Sequence, residues 1–173
     1  MIRGHREINQ IQDLQKRKIL HELRNELYRL CDEYGITRPP FLVNISVSKR
    51  HGQIRYFEHS RTVTYISISA KNLHPVFMNE LINTVRHEFA HMYTLVKYGY
   101  ANHGLNWKYF LRKIGGDGSR CATYIKTEEQ KIAAQENYKF KYCKCGMMFR
   151  ARMQNGYCKK CHTYVKDMDF KIL

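Results

Sequence analysis

The chain has 173 residues, 43% hydrophobic and 13% aromatic, enough for one main domain with a small appendage and too apolar for a disordered chain. No run approaches the roughly 18 uninterrupted apolar residues of a membrane span, and no apolar stretch follows the basic residues of MIRGHREINQIQDLQKRK. The protein is therefore expected inside the cell, in cytoplasm or nucleoid, or in the nucleus of a eukaryote. Thirty Lys+Arg against 15 Asp+Glu (net +15) attract polyanions; without a basic amphipathic helix bearing a Trp/Phe-rich face, nucleic acid is expected over an anionic membrane.

From Glu7 to Tyr34, apolar residues recur three or four apart (Ile8, Ile11, Ile19, Leu23, Leu27, Leu30, Tyr34), which predicts one long amphipathic helix ended by Gly35 and Pro39-Pro40. Phe41, Val43, Ile45 and Val47 then alternate with more polar neighbours as in a strand. His51-Gly52 reads as a hairpin turn into a second strand over 53–58, and TVTYISIS (62–69) as a third, so a small three-stranded antiparallel sheet is expected. Pro75 suits the first turn of a helix that Val76, Phe77, Leu81, Val85, Phe89, Met92 and Val96 carry to Tyr98, with Gly99 as its stop. NHGLNWKYFLRKI predicts another helix with Trp107, Phe110, Leu111 and Ile114 on one side, GGDGS a loop, and 127–135 a short helix. From Lys139 the helical period disappears, which places a boundary near 138: one α+β domain over 1–138 and a small unit over 139–173.

Within the second long helix lies NTVRHEFAHMYTLV. His87 and His91, four apart, project from one face, where two imidazoles can bind one Zn²⁺ with Glu88 beside it as general base. The alternative is a helix carrying two ordinary, partly buried histidines, so a third ligand has to be sought. A layout with glycine three and histidine six residues after His91 is excluded by Thr94 and Lys97. One with a Glu on the following helix is disfavoured, because no Glu occurs between Met92 and Thr127. His103, beyond the turn at Gly99, can return over the first two, and a three-histidine site is the economical reading.

Four of the six cysteines stand as pairs in YCKCGMMFRARMQNGYCKKCH, and without an export signal they read as metal ligands before disulfides. Cys143, Cys145, Cys158 and Cys161 would hold a structural Zn²⁺, with Gly146 and Gly156 supplying turns; the first pair is one residue shorter than a CxxC knuckle, and His162 is the substitute ligand. Cys31 and Cys121 are expected as buried small hydrophobes. Residues 139–173 carry nine Lys/Arg against two Asp, interleaved with aromatics. Lys141, Arg150, Arg152, Tyr157, Lys159 and Lys160 are the candidate contacts to DNA, the single-stranded form being suited to base stacking.

HEFAH followed by HGLNWKYF resembles the SprT-like (Spartan-type) zinc metalloprotease family, and the likeness extends in order to the long N-terminal helix, the small sheet and a C-terminal zinc ribbon. The resemblance implies a zincin-like domain with His87, His91 and His103 as ligands of a catalytic zinc and Glu88 as acid/base. It also implies a zinc endopeptidase acting on proteins bound or crosslinked to DNA. By analogy the 62–69 strand is the sheet edge that aligns substrate, and Tyr93, Tyr98 or Tyr100 is the oxyanion donor. A monomer is favoured. Two other readings stay open: a non-catalytic nucleic-acid-binding zinc protein, and a zinc peptidase whose substrates are unrelated to DNA.

Overall fold

The computed structural model describes residues 4–46, 50–118, 140–145, 147–150, 156–164 and 169–171. The chain divides into two compact units, 1–125 and 126–173, each described by itself; the sequence boundary near 138 falls outside the described residues, as do Val47, Cys121 and the helix expected over 127–135. No helix among the described residues is long and apolar enough to cross a membrane.

The first unit is a mixed α+β domain. Its sheet differs from expectation: among the described residues it has four strands, β1 (His5–Arg6), β2 (Phe41–Asn44), β3 (Gly52–Phe57) and β4 (Thr62–Ser69), in the order β1-β2-β4-β3. β2 and β4 run parallel, Phe41 opposite Ile66 and Val43 opposite Ile68, whereas β3 is antiparallel to β4. The chain leaves β2, passes one strand position, returns as β3 and fills the gap with β4, so His51-Gly52 makes no hairpin; residues 58–61 make the tight one. Periodicity finds strands but not their partners, and a two-residue strand such as β1 has no period to detect. The expected edge role of 62–69 is overturned with it. β4 is central, with Ile66 and Ile68 fully buried, and β3 is the edge.

Helix α1 spans Leu14–Glu33, shorter than the expected 7–34 because Asp13 caps it, accepting the Lys16 N–H at 3.0 Å. It buries Ile19, Leu20, Leu23, Leu27, Leu30 and Cys31 against α2 (Met78–Tyr98). Burial pushes the Cys31 thiol up to about 11, as suits a small apolar core residue. A 3₁₀ turn at Pro75–Phe77 leads into α2, with His74 accepting the Val76 N–H, and Gly99 stops it in the left-handed conformation (φ 84°). Helix α3 (Leu105–Lys113) buries Trp107, Phe110 and Leu111. Arg86 locks these pieces: its Nε donates to Glu26 of α1 and its Nη1 to the Gly115 carbonyl after α3, both at 2.8 Å. Arg29 and Arg86 together hold the Glu26 carboxyl below its ordinary range.

The second unit has a three-stranded antiparallel sheet, β5 (Phe140–Tyr142) between β6 (Met148–Arg150) and β7 (Asp169–Lys171). Among the described residues its core is Cys143 and Cys158 with Cys145 and Phe149 packed on them.

Candidate metal centres

α2 presents His87 and His91 on one face, one turn apart, and the connector after Gly99 brings His103 to them. The three Nε2 atoms stand 3.3 Å (His91–His87), 3.1 Å (His91–His103) and 3.2 Å (His103–His87) apart. Neutral imidazole nitrogens each offer one proton or one lone pair, so three of them cannot satisfy one another pairwise. Burial, with the neighbouring imidazoles, lowers His87 to about 4 and His91 to about 3, so neither is protonated at neutral pH. What satisfies three converging lone pairs is a cation. Metal–nitrogen bonds of about 2.0–2.1 Å in a tetrahedron set ligand separations of about 3.3–3.4 Å, close to those observed. The set therefore fits a zinc-sized ion.

Trp107 walls the cluster. Fully buried, it stacks on His91 (5.2 Å between centroids, 28°) and meets His87 and His103 edge-on at 4.7 and 4.5 Å. A ligand imidazole is commonly held by a hydrogen bond from its second nitrogen. His91 Nδ1 is buried and makes none among the described residues, so ring packing holds this imidazole instead. The sequence marks Trp107 as a core and motif residue but not as a neighbour of all three histidines.

Glu88, beside His87, lies under the start of β3. A Cβ at Gly52 would fall 2.7 Å from its Oε1, so only glycine admits this approach, and the Ile54 N–H donates to the carboxylate. Desolvation pushes Glu88 up to about 8, against that hydrogen bond and the Arg50 charge. In metal-free protein a raised acid stabilises fully below its unfolded value near 4.5, and this contribution is lost as pH rises through about 8. His87 and His91, with lowered values, work the other way: their contribution is full above about 6.5 and lost as pH falls through about 4 and 3. Chelated Glu88→Gln protein should thus be more stable than chelated wild type, by a margin that widens from pH 4.5 to 8 and then levels off. Urea unfolding across that range measures it; a pH-independent margin would contradict the burial of the carboxylate.

In the second unit the four sulfurs of Cys143, Cys145, Cys158 and Cys161 lie within 4.8 Å of one another, and none is in a disulfide. The closest pairs are 2.9 Å (Cys143–Cys161) and 3.4 Å (Cys145–Cys158), non-bonded and tighter than the roughly 3.8 Å edge of a Zn–S tetrahedron. Hydrogen bonds from Cys143 and Thr163 draw the Cys161 thiol down to about 6. Against a Met147 backbone hydrogen bond, desolvation and the neighbouring thiols push Cys145 up to about 12, so the four sulfurs by themselves favour a single thiolate. The short CxC knuckle closes with Cys143 N–H donating to the Met147 carbonyl, and the second with Cys158 N–H donating to Thr163. His162, at φ 56°, is not in the cluster. Gly156 lies at positive φ before the second knuckle, while Gly146 is outside the described residues.

Of the candidate DNA contacts, Tyr157, Lys159 and Lys160 are exposed around the second knuckle. Tyr157 bridges to Tyr164, hydroxyl to hydroxyl, with ring centroids 4.0 Å apart, a pair that sequence reading did not single out. Lys141 lies on β5 and Arg150 on β6, while Arg152 is outside the described residues.

The fold and site define a mixed α+β domain whose partly buried histidine cluster can hold a metal ion, joined in the chain to a unit with a four-cysteine cluster that can hold another. Residues 19–129 match the SprT-like family model, and the chain belongs to the SprT-like family, a metalloprotease-type group. Comparison with the curated proteins and with the solved structures returns no match.

Proposed function

We propose that this protein is a zinc endopeptidase that hydrolyses proteins bound or crosslinked to DNA, with a zincin-like active site at His87, Glu88, His91 and His103. The observation that carries the catalytic part is the convergence of three imidazole nitrogens at tetrahedral spacing, next in sequence to a buried carboxylate. Zinc held there supplies Lewis-acid chemistry, polarising water and the scissile carbonyl. The chain's own residues do the rest. Glu88, buried and held as the carboxylate by the cation beside it, takes a proton from the attacking water as its oxygen bonds to the carbonyl carbon. It returns that proton to the amide nitrogen as the C–N bond breaks. The edge strand β3, whose Gly52 lies against Glu88, is the strand to which an extended substrate would add. A purely structural metal has no use for a buried acid of this kind.

The DNA part rests on the net charge of +15 and on Tyr157, Lys159 and Lys160, exposed beside Tyr164. Attachment to DNA would raise the effective concentration of substrate for a protease with little sequence selectivity. In zinc-replete protein, cleavage of a DNA-binding protein should be stimulated by single-stranded DNA, and DNA binding should weaken steeply with salt. Cleavage indifferent to DNA would leave a peptidase of another substrate class. Tight DNA binding with no cleavage would leave a binding module.

A further inference from the structure

We infer that the connector between the second and third histidines carries a base-stacking site for single-stranded nucleic acid on the first unit itself, built on Tyr98, Tyr100, Arg61 and Lys97. The inference rests on the reading of the chain as DNA-directed and names a contact surface separate from the cysteine unit. Tyr98 and Tyr100 flank Gly99 and stack at 5.9 Å and 21°, and Tyr98 is 45% exposed. They end a chain of rings that begins in the core: Tyr34 meets Phe110 and Tyr93, Tyr93 stacks face to face on Phe110 at 3.6 Å, and Tyr98 meets Tyr93 at 6.4 Å. The outer pair is thus anchored from behind, and a rigid surface tyrosine loses little freedom on binding. Asn106 of α3 donates to the Tyr100 hydroxyl at 2.5 Å, fixing that ring to the helix that follows His103.

The charge around the rings selects the occupant. Arg61, from the β3–β4 turn, lays its guanidinium on Gly99: a Cβ there would lie 2.7 Å from Cζ. Lys97 is exposed in the last turn of α2. From Met92 to Gly116 the chain has four Lys/Arg and no Asp or Glu, so phosphates meet no repulsion from this stretch. Stacked aromatics with a guanidinium against the residue they flank accept any base through its π face while the cation meets the backbone, which is the chemistry of sequence-tolerant single-strand binding.

The test uses the full, zinc-replete chain and a fluorescently labelled oligo-dT. Tyr98→Ala/Tyr100→Ala should weaken binding about tenfold or more, whereas Tyr98→Phe/Tyr100→Phe, which keeps both π faces, should bind within about twofold of wild type. Arg61→Gln should lower the magnitude of the salt slope by about one contact. In parallel, photo-crosslinking of 5-iodouracil DNA to wild-type protein should give adducts at Tyr98 or Tyr100, a readout that needs no variant to fold. Adducts confined to 139–173, with alanine variants binding normally, would overturn the inference and leave the DNA reading intact. Variants that raise the KM for peptide without altering DNA affinity would overturn it in favour of a peptide subsite. A wild-type chain that binds no DNA would overturn the DNA reading itself, and this site with it.

Discussion

Glu88→Gln will slow peptide-bond cleavage by about 10²–10⁴-fold while leaving both metal centres filled. Glutamine keeps the volume of the side chain and one acceptor for the Ile54 N–H, so the start of β3 has no cause to move. None of the three convergent nitrogens is altered, so metal affinity should hold. What disappears is the capacity to take and return a proton, for which a loss of about 10²–10⁴-fold in kcat is expected. Since the variant carries no buried acid at this position, the loss of rate should come with a gain in the stability of metal-free protein at neutral pH, the reverse of what general damage does. Rates, zinc content and urea midpoints on the same preparations measure all three. A zinc-replete variant that cleaves as fast as wild type would remove Glu88 from the chemistry. An inactive variant that has also lost zinc would be read as site damage.

Chelation will unfold the cysteine unit and spare the other. Among its described residues the second unit buries two cysteines, with a third and Phe149 against them, so its core is made mostly of the side chains that would hold the metal. Among the described residues little else is buried there, and structural zinc supplies on the order of 10–16 kcal/mol in small metal-folded peptides. The first unit has a core independent of metal ligands, with Leu20, Leu23, Leu27, Phe77, Phe89 and Trp107 fully buried. Amide resonances of residues 140–145 and 156–164 should therefore collapse to random-coil positions on stripping, and those of α1 and β4 should persist. Cys158→Ser should reproduce the collapse in zinc-replete buffer while the histidine site retains its metal. Native dispersion of these resonances in chelated protein would disprove the dependence.

The histidine and cysteine clusters and the long helices were legible because their signals are local. A 3.6-residue period, glycine at 99 and the four-residue spacing of His87 and His91 are each contained within a turn or two. His103 followed from a shortage of carboxylates, also a property of the sequence alone. The sheet was not legible. Whether 62–69 lies at an edge depends on where the chain goes after Asn44, and nothing in FLVN distinguishes a parallel from an antiparallel neighbour. The contacts that tune the site escaped for the same reason. Gly52 looked like a turn residue, and only the fold reveals that its missing side chain makes room for Glu88 thirty-six positions later.

Trp107 is the only tryptophan in the chain and is fully shielded from solvent, with three imidazoles at its faces and edges. The protein thus carries its own optical gauge of metal loading. Indole emission is sensitive to ring contacts and to a nearby ion, so filling the histidine centre should change its intensity, with a paramagnetic ion such as Co²⁺ quenching it most strongly. The signal belongs to the site whose imidazoles touch the indole, so a stopped-flow emission trace follows the histidine centre by itself. Thiolate-to-metal absorbance recorded on the same mixing experiment follows the cysteine centre, and the two traces together give the order in which the chain acquires its metals.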